Sequence, residues 1–221
     1  MSENSFRTTV FGKILDVAVV IVGITIAFQV DRWKESSDRA SREESYLHAM
    51  MADLDKDIKE YQDNIGDLSR DRELIYRSLI RLTKAEDISD SLGFIVMAVL
   101  RTQTFEGHNN TYTKIMTSDG IDILSNTDVR ELVIEHYRLY SSLSKFEARY
   151  LDFLAQFKVF FTPHVYFNRS GNRVSKEIAK DIQTENLLTL AAVQQLEGIF
   201  RYKGSLDKAI ELREKIEAEL N

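Results

Sequence analysis

The sequence predicts an all-α protein: an N-terminal transmembrane helix that continues into a long helix, followed by an up-down helical bundle. Three observations carry this. Residues 14–30 read ILDVAVVIVGITIAFQV, an apolar run of 17 residues broken mainly by Asp16 and Gln29. From Leu47 to Leu82, stripe residues recur in alternating steps of four and three, the a/d pattern of a supercoiled helix or a bundle edge. The chain has nine Gly, one Pro and no Cys, which favours long helices over sheet and excludes structural disulfides.

The apolar run comes first. Seventeen residues rise roughly 25 Å as a helix, short of a hydrocarbon core of about 30 Å. Extension to Val10 and Trp33 makes up the difference, and the anchor is assigned to 14–33, behind a tail of 1–13. Trp33 then sits at one interface, with Arg32 and Lys34 reaching into the headgroups. No small-x-small cleavage site follows the run, so it reads as an uncleaved anchor. Asp16, Gly23 and Ala27 fall within about 20° of one line on the helix. Gly23 and Ala27 form a small-xxx-small pair that lets two helices approach closely. This face predicts a transmembrane assembly seam with Asp16 in it. The competing reading has Asp16 near the membrane end, paired with Lys13 and reaching water; residue spacing leaves both open. The Lys/Arg count favours a cytoplasmic C-terminal side, whereas the net positive N-terminal tail favours the reverse.

The remaining chain, 34–221, predicts one helical bundle domain. The first stripe is Leu47, Met51, Leu54, Ile58, Tyr61, Ile65, Leu68, Arg72, Ile75, Leu79 and Leu82, and it keeps its phase across Gly66. Continued backwards, the same steps reach Trp33, Gly23 and Asp16, so one helix is expected to leave the membrane unbroken. Ser89 or Asp90 can cap a buried helix over 92–100. A polar connection over 102–110 follows. A short helix over 111–117 is stopped by Ser118-Asp119-Gly120. The segment Ser125-Asn126-Thr127-Asp128 offers caps for a long helix over 128–162, which Pro163 ends. After a turn at 168–172, the last helix covers 184–220. Short connections between such helices imply up-down topology.

Candidate chemistry is sparse. The histidines are His48, His108, His136 and His164, and none belongs to a Glu-x-x-His or His-Glu-x-x-His motif. Glu44 and His48, at i and i+4, read better as an exposed ion pair than as a metal edge. His136 lies on an apolar stripe and reads as a satisfied core histidine. There is no Walker A loop, dinucleotide fingerprint or nucleophile elbow. The expectation is no catalytic residue, no metal and no cofactor. A net charge of −6 argues against nucleic acid as a partner. An aromatic cluster including Phe157, Phe160, Phe161, Tyr166 and Phe167 reads first as core packing and second as an exposed patch for a protein partner.

The anchor also carries a resemblance. Asp16, followed by Gly23-Ile-Thr-Ile-Ala-Phe-Gln-Val-Asp31-Arg-Trp33, resembles the acidic–apolar–Gly-Ile-x-Ile-Ala-x-Gln-Val-(Asp/Asn)-x-Trp motif of an uncharacterised bacterial family of single-span, membrane-anchored helical proteins, a domain of unknown function. Such members typically carry Glu in place of Asp16. A segment over 112–140, with Ser118-Asp119-Gly120 and Leu124-Ser125-Asn126, is also similar. The resemblance implies a bacterial inner-membrane location and a periplasmic C-terminal domain, and no activity. The combined expectation is a non-enzymatic, homo-oligomeric scaffold or accessory subunit. It would assemble through its anchor and coiled-coil-like helix, with the lipid bilayer and another membrane protein as partners. The alternatives are a ligand-sensing bundle acting through a membrane partner, and an ion-conducting oligomer with a ring of Asp16.

Overall fold

A computed structural model describes the backbone of residues 3–84, 86–101, 104–168 and 171–221, with side chains from 19 onward except those of 166–173. The elements are α1 (Glu3–Thr83), α2 (Ser89–Leu100), α3 (Asn110–Ser118), a 3-10 turn (Ile121–Ile123), α4 (Thr127–Phe161), β1 (Val165–Asn168), β2 (Gly171–Val174), α5 (Lys176–Ala179) and α6 (Ile182–Leu220). The all-helical expectation holds apart from one antiparallel hairpin, β1–β2, in which Val165 pairs with Val174. The chain divides into two compact units, Met1–Leu47 and His48–Asn221.

In the first unit, Val19, Val20, Ile21, Val22, Ile24, Ile26, Phe28 and Val30 are each more than half exposed. Successive residues turn by 100°, so these side chains cover every face of the helix. Thr25 donates its hydroxyl to the Ile21 carbonyl at 2.8 Å. Among the described residues no helix is long and apolar enough to cross a membrane. Residues 14–18 of the expected span, including Asp16, lie outside the described side chains.

The second unit is a bundle of four columns. The first is α1 from His48 onward. The second is composite: α2, a non-helical strap over 104–109, and α3. The third is α4 and the fourth α6. Cross-column contacts give the directions. Arg81 and Arg101 reach Ser91 and Asp71, so α2 runs antiparallel to α1. The α6 helix runs antiparallel to both long helices, with Arg213 on Asp55, Tyr202 on Glu147 and Lys215 on Asp128. The expected up-down order is therefore present, with its second column broken in the middle.

Local chemistry explains the ends. Arg81 closes the α1–α2 turn by donating to the Asp87 carbonyl at 2.7 Å and to the Ser91 hydroxyl at 3.1 Å. Asp87, rather than Ser89 or Asp90, takes the Ser89 backbone N–H at 2.9 Å and the Ser89 hydroxyl. Gly120, at φ +74°, ends α3 and returns its N–H to the Ile115 carbonyl at 2.8 Å, the left-handed stop that glycine adopts freely. Asn126 caps α4, its side-chain oxygen accepting from the Asp128 and Val129 N–H groups at 3.0 and 3.3 Å. At the other end α4 stops at Phe161, two residues before Pro163.

The core corrects the first stripe. Leu54, Tyr61, Leu68 and Ile75 are buried as expected. The expected flanking row, Met51, Ile58, Ile65, Arg72 and Leu79, is only half-buried. The row buried in its place is Met50, Asp57, Asn64, Asp71 and Ser78. The inward face of α1 is thus rotated by about 50° from the apolar stripe. The reason lies in the second column, which packs a polar strap against the polar side of α1.

Candidate functional site

The polar row of α1, with Asp53 and Glu60 beside it, is a ladder of hydrogen-bond partners for the second column. Asp53 takes the Thr111 hydroxyl at 2.6 Å and its N–H at 3.3 Å. Asn109, the residue before α3, supplies no side-chain cap. A carboxylate from another helix therefore satisfies one of the unpaired N–H groups at this helix start. Asp57 Oδ1 accepts the His108 N–H at 2.9 Å and faces His108 Nδ1 at 2.9 Å. Glu60 accepts the Glu106 N–H at 2.8 Å. The Asn64 amide donates to the Thr104 carbonyl at 3.4 Å, and Arg101 reaches Asp71 at 3.4 Å. From the opposite wall, Glu147 of α4 accepts the Phe105 N–H at 2.8 Å and the Tyr202 hydroxyl at 2.6 Å. A non-helical segment carries unpaired backbone groups, and burying it requires this partner-by-partner satisfaction.

Aromatic packing fixes the strap from above and below. Phe105 stacks on Tyr61 with ring centroids 4.3 Å apart and meets Tyr140 edge-on at 4.9 Å. Gly107 adopts φ +68°, and a Cβ there would lie 2.7 Å from Tyr140 Cε2. Glycine is required at this position on both counts.

Asp57 is the centre of the arrangement and has no exposed surface. Tyr140 donates its hydroxyl to Oδ2, and His136 Nε2 lies 3.5 Å from the same oxygen. Burial pushes the Asp57 carboxyl up, but its contacts with His136, Tyr140 and His108 outweigh this and hold it below the ordinary carboxylate value. Asp57 is therefore ionised at neutral pH and can only accept, so Nδ1 of His108 is the protonated ring nitrogen. Burial raises Asp71, opposed by the Arg101 and Arg70 charges. Burial also raises Glu147, opposed by its bonds from Tyr202 and Phe105. The Tyr140 hydroxyl is pushed far up by burial and by the Asp57 charge, so it remains a donor.

The sequence-predicted residues fall elsewhere. Gly23 has no atom within 4 Å of a built Cβ, and Ala27, Arg32, Trp33 and Lys34 are exposed. The described side chains thus leave the expected seam and interface positions open, and Asp16 lies outside them. Phe157 and Phe161 are buried, with ring centroids 4.5 Å apart. They are core residues, which corrects the partner-patch reading for both. Phe160 is half-buried, edge-on to Phe161, while the side chains of Tyr166 and Phe167 lie outside those described. His136 is buried, but neither ring nitrogen has a hydrogen-bond partner, so it is not the satisfied core histidine expected.

Sequence reasoning missed Asp53, Asp57, Glu60, Asn64, Asp71 and Glu147. A signal was present: 57, 64, 71 and 78 are polar at every seventh position, beside an apolar heptad. Two grooves lie away from this row, the first between α4 and α6 and the second along α6 alone. One of about 290 Å³ is lined by Leu139, Leu143, Phe200 and Arg201 among others. The other, of about 470 Å³, surrounds Val193, Leu196 and Phe200. Comparison with protein-family models, with curated proteins and with solved structures finds no match to this chain.

Proposed function

We propose that this protein is a single-span, membrane-anchored, non-enzymatic scaffold or accessory subunit of the bacterial inner membrane that self-assembles through its anchor. The single observation carrying the reading is the apolar sheath over 19–30, exposed on every face. An all-round apolar helix is stable only when something apolar surrounds it. Thr25, the one polar side chain over 19–28, turns its hydroxyl onto its own helix at Ile21, which satisfies that donor without water. Self-assembly is assigned to the open Gly23/Ala27 face. The Leu54–Ile75 stripe supports it less, because those side chains fill the core of their own chain. The exposed Val193 and Phe200 on α6 offer an accessory subunit a surface for a second membrane protein.

The test uses the full chain in cells and in detergent. The expected result is a membrane-bound protein resistant to alkaline carbonate, with a mass in detergent above that of one chain. Gly23→Leu is expected to lower the assembly to monomer without changing the unfolding of the bundle. A carbonate-soluble protein overturns the anchor; a monomeric native protein overturns self-assembly.

A further inference from the structure

We propose that Asp57, Glu60 and His108 bind one first-row divalent metal ion of the Zn²⁺ class, which clips the strap to α1. One ligand atom from each of these residues lies within 4.8 Å of the others. A ligating imidazole nitrogen carries no proton, so uptake of the ion at His108 Nδ1 releases the proton that Nδ1 otherwise gives to Asp57. Ligands held at about 2.0–2.2 Å from one ion lie up to ~4.4 Å apart. A small rotation of the half-exposed Glu60 side chain therefore closes the set. Asp57 and Glu60 stand three residues apart, adjacent on one helical face, and His108 comes from the strap. Glu60 and His108 are both partly exposed, which gives an ion a path in from solvent and leaves room for a water ligand.

An independent feature points to the same place. His136 is fully buried, neither ring nitrogen has a hydrogen-bond partner, and Nε2 faces Asp57 Oδ2 at 3.5 Å. A buried imidazole whose nearest polar approach is 3.5 Å from a carboxylate, outside hydrogen-bond geometry, is under-satisfied and costly. Behind a metal-ligating carboxylate it has a function, since residues in that position orient the ligand and hold its second oxygen. Tyr140 holds that same oxygen from its own side. One imidazole with two carboxylates suits borderline ions such as Zn²⁺ or Fe²⁺. It does not suit Ca²⁺ or Mg²⁺, which need six or more oxygen ligands, or near-ideal octahedral geometry with several retained waters.

The test is calorimetric titration of the chelator-stripped full chain in detergent with ZnCl₂, with thermal unfolding followed in parallel. One saturable ion per chain is expected, with an unfolding midpoint that rises with Zn²⁺ and not with equal Mg²⁺. Glu60→Gln keeps an acceptor for the Glu106 N–H and therefore keeps the fold. It is expected to weaken Zn²⁺ binding at least ~10-fold, the minimum seen for loss of even an outer partner. His108→Asn should behave likewise, and His164→Ala should bind as the native protein does. Absence of saturable binding, native affinity in folded Glu60→Gln and His108→Asn, or loss of binding in His164→Ala overturns the site.

Discussion

Tyr140 on α4 donates its hydroxyl to the buried carboxylate of Asp57 on α1, 83 residues earlier in the chain. The same carboxylate accepts from the strap at His108. One buried charge thus ties three of the four columns together: α1, the composite second column and α4.

Removing that charge is expected to be the most damaging polar substitution in the bundle. Asp57→Ala leaves the Tyr140 hydroxyl and the His108 N–H without their acceptor, a loss of about 1–3 kcal/mol for each. Tyr140→Phe removes one donor and leaves the carboxylate its bonds from His108, a loss of about 1.5–3 kcal/mol. Urea unfolding of the full chain in detergent reads both, and the order of the two variants is the decisive result.

Gly107→Ala is expected to lift the strap. The left-handed backbone alone costs a non-glycine residue about 1–2 kcal/mol, and the added methyl meets Tyr140. Amide exchange over 104–109 should accelerate well beyond that of α6. Unchanged exchange would show that the strap does not depend on the Gly107–Tyr140 approach.

The acids of the ladder respond oppositely to pH. The folded value of Asp57 is lowered from 3.8, so its contribution is complete above that value and lost as the pH falls through the lower folded one. The folded value of Asp71 is raised from 3.8. Its penalty is absent below 3.8 and is complete once the pH exceeds the folded value. Asp71→Asn is therefore expected to be more stable than the native protein at pH 7, with the gap closing toward pH 3.8. Urea midpoints at pH 7, 5 and 4 check the sign, and a less stable variant at pH 7 would mean that the Arg101 contact outweighs burial.

Phe157 and Val159 separate core from surface on the aromatic end of α4. Phe157 has no exposed area, while Val159 is 75% exposed. Phe157→Ala should cost about 3–5 kcal/mol, whereas Val159→Ala should stay within ~0.5 kcal/mol. Equal effects in denaturant would restore the partner-patch reading of this cluster.

The helices were legible because their signals are local. The Asn126 cap, the Gly120 stop and Pro163 act within a turn of the chain, and α4 begins and ends within one residue of its expected bounds. The hairpin β1–β2 and the short α5 were not anticipated. Eight strand residues and four helical ones are too few to show a period. The candidate site was the least legible part. Asp57, Asn64 and Asp71 sit on a helix where an isolated reading assigns polar residues to solvent.

The sequence by itself determined which stretches are helical and where they stop, because a helix closes its hydrogen bonds within four residues. It also determined the apolar sheath over 19–30. Tertiary structure alone decided which side of α1 faces inward. An aspartate is buried only where partners meet its oxygens. Those partners, Thr111, His108 and Tyr140, lie 51 to 83 residues away in the chain and reach α1 only when the strap closes over it.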